Sequence, residues 1–145
     1  MSVRQHLIDY LKAKIAEVKK INGYNTDLGL NIFEWRDHPL TKDELPGVII
    51  RDSLNRRTFP TSIGGFRWAL RIEIAVFGKT PQEIRAGIED ILKVLGQCEE
   101  EKWGGLAEWT ALADGDEMSF ERYDIEIGAA VITFDVIYET NMWSM

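Results

Sequence analysis

Phe66-Arg67-Trp68-Ala69-Leu70-Arg71-Ile72-Glu73-Ile74-Ala75-Val76-Phe77 is the stretch that decides the fold. Trp68, Leu70, Ile72, Ile74 and Val76 fall on one parity, and Arg67, Arg71 and Glu73 on the other, so the period is that of a strand with one buried face. Thr80-Pro81-Gln82-Glu83 follows at once. A threonine N-cap, a proline at the first helical position and a glutamate three residues after the cap predict a helix start. Ile84, Ile88, Ile91, Leu92 and Leu95 then form one apolar stripe, with Gly96 as a stop or residues 97–102 as an extension. A long half-buried strand followed by an amphipathic helix makes a mixed fold.

Upstream, Leu7, Leu11, Ile15 and Val18 recur at steps of four, four and three within residues 3–21, which predicts an amphipathic helix closed near Gly23. Residues 28–35 read as a first strand. The polar segment 37–46 holds Pro39 and Pro46 and reads as a loop, and Val48, Ile49 and Ile50 form a short β-branched strand. Residues 53–65, with Asn55, Pro60, Gly64 and Gly65 and little apolar content, read as a long mobile connection.

Downstream, Leu106, Trp109, Ala111 and Leu112 suggest a strand within residues 104–118, ending at the turn Asp114-Gly115-Asp116. Ala130, Ile132, Phe134, Val136 and Tyr138 alternate with Thr133, Asp135 and Glu139 in a second strong strand. The expected fold is one α+β domain over residues 1–145. Its sheet is mostly antiparallel, of about five strands, with two helices packed on one face.

The 145 residues are enough to bury roughly 70% of the unfolded surface without staples. Lys and Arg number 17 against 24 Asp and Glu, a formal charge of -7 that repels a phosphate backbone and argues against sequence-specific nucleic-acid binding. Cys98 is the only cysteine, which suits a reducing compartment, and no apolar run approaches a membrane span.

No catalytic constellation emerges, and the expectation is a protein without enzymatic activity, cofactor or metal. His6 and His38 have no ligand or nucleophile spacing around them. Cys98 stands beside Glu99, Glu100 and Glu101, whose charges raise a thiol pKa. Asp114, Asp116, Glu117, Glu121, Asp124 and Glu126 do not match a calcium loop. Gly64-Gly65 and Gly104-Gly105 lack the Lys and Ser or Thr of a phosphate loop.

What does gather is arginine: Arg51, Arg56, Arg57, Arg67 and Arg71 surround residues 53–65. As outward residues of a hairpin they need no function. As an interface they would supply planar hydrogen-bonding forks, with Phe59 and Ile63 as apolar anchors in a segment that orders on contact. Of five tryptophans, Trp35, Trp68, Trp103, Trp109 and Trp143, most are expected against the sheet. Trp143, with Met142 before it, reads as a C-terminal docking element. The candidate assembly residues are Arg51, Arg56, Arg57, Phe59, Ile63, Arg67, Met142 and Trp143.

Three segments together resemble a known family: Gly23-Tyr24-Asn25-Thr26-Asp27-Leu28-Gly29 after the leading helix, Leu45-Pro46-Gly47-Val48-Ile49-Ile50-Arg51-Asp52, and residues 130–140 ending in Tyr138-Glu139-Thr140. With the order of elements they resemble the tail terminator or minor tail proteins of long-tailed bacteriophages and related prophages. The resemblance implies a small α+β structural subunit of the virion tail, assembled in the bacterial host cytoplasm. It further implies a ring, commonly a hexamer, that caps the tail tube protein and meets a head-tail connector protein. It transfers no catalytic residue. Two other readings stay open: a small ligand-binding or regulatory domain with a pocket between helix and sheet, and an enzyme using the acidic turns with a metal.

Overall fold

The computed structural model describes residues 2–60, 65–112, 118–122 and 128–141, with backbone alone at 58–60, 111, 112, 118–122 and 128. Its centre is the antiparallel pairing of β3 (Gly65–Gly78) with β6 (Gly128–Asn141), unbroken from Gly65 opposite Asn141 to Gly78 opposite Gly128. Both strands put one parity inward, as their alternation predicts. Leu70, Ile72, Ile74 and Val76 face the same core as Ala130, Ile132, Phe134, Val136 and Tyr138.

Two helices, α1 (Val3–Ile15) and α2 (Pro81–Glu100), cover that face. Leu7, Leu11 and Ile15 of α1 and Ile84, Ile88, Ile91, Val94 and Leu95 of α2 are buried in the common core. Each such side chain contributes roughly 1.5–3 kcal/mol when fully withdrawn from water. The start of α2 is the one read from the sequence, with Thr80 Oγ1 accepting from the Glu83 N–H at 3.1 Å. Glu83 itself reaches past the cap to the Lys79 N–H at 3.2 Å. The helix crosses Gly96 and runs to Glu100. At Gly87 it meets the sheet so closely that a Cβ would stand 2.7 Å from Val76 Cγ1.

Helix α1 is shorter than its apolar spacing implies. It ends at Ile15, and a 3-10 turn at Lys20–Asn22 follows, closed by Gly23 at φ 91°. Much of the expected first strand is also a 3-10 turn, Leu28–Leu30, and only Ile32–Glu34 is strand β1. These turns are tied to α2 by one buried carboxylate. Asp90 accepts from the Asn25 N–H at 3.0 Å, the Thr26 N–H at 2.8 Å and Thr26 Oγ1 at 2.6 Å. At the other end of the helix pair, Glu101 accepts from Lys14 Nζ and from the Tyr10 hydroxyl.

The sheet order is β1-β2-β3-β6-β4, with β5 also on β6. Strand β2 is Gly47–Pro60, β4 is Trp109–Leu112 and β5 is Met118–Arg122. Strands β4 and β5 occupy successive stretches of the same edge of β6, so the sheet is five strands wide. Strand β1 pairs parallel to β2, which makes the sheet mixed although mostly antiparallel. The physical reason is the connection from Trp35 to Pro46, long enough to carry the chain back to the end of the sheet it left. This connection folds onto the sheet face away from the helices, where Leu40 packs with Ile49, Phe77 and Ala129.

The largest departure from the sequence reading concerns residues 53–65. Residues 53–60 are strand: β2 continues through them to Pro60, paired with β3 from Gly47 opposite Phe77 to Pro60 opposite Phe66, while residues 61–64 of the expected connection lie outside the described residues. The register shifts between Asp52 and Leu54, the signature of a bulge at Ser53. Of the strand expected within 104–118, Trp109–Leu112 is strand, and the expected turn Asp114-Gly115-Asp116 lies outside the described residues. Before β4, α3 (Lys102–Gly105) holds Trp103 at φ 53°, a left-handed conformation that costs a non-glycine residue energy. Packing repays it. Trp103 is fully buried, 6.2 Å from the Phe134 ring, and Nε1 donates to Thr110 Oγ1 at 2.7 Å.

Asp90 generates the first prediction. Asp90→Ala removes the acceptor of three donors at once, the two on Thr26 buried, and is expected to lower the unfolding free energy by about 1–3 kcal/mol or more. Urea denaturation should show the midpoint falling at unchanged slope.

Candidate assembly surface

The sheet face away from the helices has two halves. Over the first, residues 37–39 roof a cleft of about 360 Å³ lined by Asp37, His38, Arg51, Glu73, Phe77 and Thr133. The roof is held by a bidentate ion pair, Arg36 to Glu44 at 2.6 and 2.7 Å, with Glu44 also accepting from the Thr41 N–H and hydroxyl. The Arg36 guanidinium further lies 4.8 Å from the Phe33 ring centre. These contacts, the Arg36 bonds foremost, pull the Glu44 carboxyl down to about 2. The cleft is open to solvent and sits opposite the helix layer, whereas the space between helix and sheet is filled by core side chains.

The second half has no such roof among the described residues. Its strand register aligns two rows across the sheet. One row is Arg56, Ala69, Ile137 and Trp109; the next is Leu54, Arg71, Asp135 and Ala111. Arg71 is paired to Asp135 at 3.0 Å. Beside the first row, Arg67 bridges Glu139 at 3.0 Å and Glu108 at 3.3 Å, with its guanidinium 5.5 Å from the Trp109 ring centre. Burial, and then the hydrogen bond to Glu139, push the Glu108 carboxyl above its ordinary range. Leu54 and Trp109 remain 46% and 43% exposed.

The five arginines thus separate into three environments. Arg51 is half-buried in the cleft, donating to the Arg36 carbonyl, opposite Glu73 on β3. Arg67 and Arg71 are committed to cross-strand carboxylates. Arg56 and Arg57 alone share the exposed outer part of β2, and Arg57 stacks on Phe66 at 4.4 Å. Of the expected anchors, Phe59 has its backbone in β2, while Ile63, Met142 and Trp143 lie outside the described residues. His6 is exposed on α1, and His38 is exposed at the cleft mouth with Nδ1 3.2 Å from Asp37.

Sequence reasoning missed Trp35. It is 58% exposed at φ 54°, with Nε1 donating to Asp52 Oδ1 at 2.7 Å. Arg4 Nε fixes the other oxygen of that carboxylate at 2.6 Å. An indole at the end of the strand expected over residues 28–35, followed directly by Arg36-Asp37-His38-Pro39, was the available signal. For Cys98 the direction of the pKa shift agrees with the sequence reading and the cause differs. The thiol is pushed up to about 12 chiefly by burial, with Glu101 adding and Lys14 opposing. Among the described residues no three His, Cys, Asp or Glu side chains are placed to share a metal ion.

No protein-family model matches the chain, and no curated protein matches it by sequence. Among solved structures, the fold resembles a chain in the virion of a native gene transfer agent particle. The match has a TM-score of 0.56 at 10% identity and covers 89% of this chain and 94% of that one.

The roof of the cleft generates a pH prediction. Because the Glu44 carboxyl is depressed from 4.5 to about 2, its contribution is full above 4.5 and is lost as pH falls through about 2. Amide protection over residues 36–46, taken as exchange relative to an unstructured chain at the same pH, should therefore fall between pH 4.5 and about 2. In Glu44→Gln the same segment should exchange faster at neutral pH and lose this acid dependence.

Proposed function

We propose that the chain is a structural subunit of a phage-like particle, acting as a ring-forming tail terminator that caps the tail tube and presents a surface to the head connector. The observation that carries this reading is the fold shared over nearly the full length of both chains with a virion component. The layout of the sheet supports it. A closed ring requires each subunit to show two different complementary surfaces, and this sheet has two different edges, one at β1 and the outer part of β2 and one at β4 and β5. The exposed half of the outer face adds Leu54, Trp109 and Arg56, residue types that suit a contact surface. The negative net charge suits a passage for DNA, since an acidic wall does not hold phosphates.

Native mass spectrometry and negative-stain microscopy of the full chain, alone and with the tube protein encoded beside it, test the reading. Closed rings of one size, seated on tube ends and limiting tube length, are expected. A chain that stays monomeric and leaves tube length unchanged would refute it.

A further inference from the structure

The cleft roofed by residues 37–39 has a lining graded from charged to apolar. Two rows of the sheet register form its floor. Arg51, Glu73 and Thr133 make the first row, and Ile49, Ala75 and Val131 the second, with Phe77 beyond them. Neighbouring rows on one face of a sheet are two residues apart along the strand, about 7 Å. One end of the cleft is therefore polar and the other apolar, within a volume of about 360 Å³.

The register sets Arg51 opposite Glu73, as it sets Arg71 opposite Asp135 and Arg67 opposite Glu139. Arg71 and Arg67 close ion pairs with their partners. Arg51 turns instead to the roof, where it donates to the Arg36 carbonyl. Its charge also reaches Asp37, whose carboxyl is held below its ordinary range by the hydrogen bond with His38 first and by Arg51 to a lesser degree. Glu73 is left half-buried, and its carboxylate has no hydrogen bond or ion pair among the described residues. The Thr133 hydroxyl, directly across the register, is half-buried and equally without a partner among them. A carboxylate partly withdrawn from water, beside a second free acceptor, attracts a cationic donor more strongly than an open surface acid does.

We propose that this cleft binds an organic cation, a protonated amine or guanidinium on an apolar stem, with its head donating to Glu73 and Thr133 and its stem lying over Ala75 and Val131 toward Phe77. A stem of about five carbons covers one row spacing. An anion is disfavoured, because Arg51 is engaged by the roof and the described lining carries two acids, Asp37 and Glu73, against that one permanent cation. A monomer would hold the cation as well as a ring subunit would, so the site stands apart from the assembly reading. A free amine and a lysine or arginine side chain of another protein offer the same head and stem.

Titration of the isotope-labelled full chain with pentylamine, followed through its amide resonances, tests the site. Saturable shifts are expected at Ile49, Arg51, Glu73, Ala75, Val131 and Thr133, and none with pentanoate, which carries the opposite charge on a similar stem. Glu73→Gln should melt like wild type and weaken pentylamine binding about tenfold, the effect of losing one charge-assisted hydrogen bond. Ala75→Leu should block the cleft, while Glu89→Gln on the exposed side of α2 should bind like wild type. A lysine blocked at both backbone ends separates the two sources. Binding as tight as that of pentylamine or tighter assigns the site to a side chain of a partner chain, and weaker binding assigns it to a free amine. No saturable shift with either cation, pentanoate binding as well as pentylamine, or unchanged affinity in Glu73→Gln would overturn the proposal.

Discussion

The pairing of β3 with β6 is the constraint on which the rest of the molecule depends. Fourteen residues of each strand stay in register without a bulge, so parity is preserved along the whole length. Each strand therefore presents one continuous apolar face, and a slip of one residue would turn both faces over. Helices α1 and α2 have somewhere to bury their stripes only because this parity holds. The close approach at Gly87 and the Asp90 clamp then set where along that face α2 lies, and with it the turns that lead into β1.

This explains what was legible in the sequence. Strands β3 and β6 and helix α2 each carry a period imposed by a buried face, and each is read correctly from a single chain. Strand β2 carries that period only from Val48 to Ile50. Beyond the helix layer its inward positions are Asn55, opposite Leu70, and Arg57, opposite Trp68. Asn55 Oδ1 accepts from the buried Tyr138 hydroxyl at 3.1 Å, and Arg57 lies over Phe66, so polar residues occupy the inward positions here. Their backbone pairing with β3 makes them a strand, and backbone pairing leaves no mark on hydrophobic periodicity. The parallel placement of β1 was hidden for a related reason: it follows from how the Trp35–Pro46 connection packs, through Leu40 and the Arg36–Glu44 pair.

The arginines show the same limit at the candidate surface. Their clustering in the chain was visible, yet their roles depend on which strand and which parity each one occupies. Arg67 and Arg71 sit on β3 across from Glu139 and Asp135 of β6, an arrangement fixed by a register that joins residues more than sixty positions apart. Arg56 and Arg57 sit on the strand with a free side. A positively charged run in the sequence was therefore a mixture of cross-strand pairs and an exposed edge, and only the pairing separates the two.

The bulge at Ser53 is what turns the part of β2 after Asp52 into a surface of its own. Before it, Ile49 and Arg51 face away from the helices; after it, Leu54 and Arg56 do. Without the extra residue, parity would carry Leu54 and Arg56 to the helix side and leave Asn55 and Arg57 beside Trp109 on the outer face. With it, Arg56 falls into the row of Ala69, Ile137 and Trp109, and an apolar, positively charged band crosses four strands to the far edge of the sheet. A single inserted residue thus determines which chemistry the free edge and the outer face present together. An interface built there inherits its specificity from backbone register as much as from side-chain type.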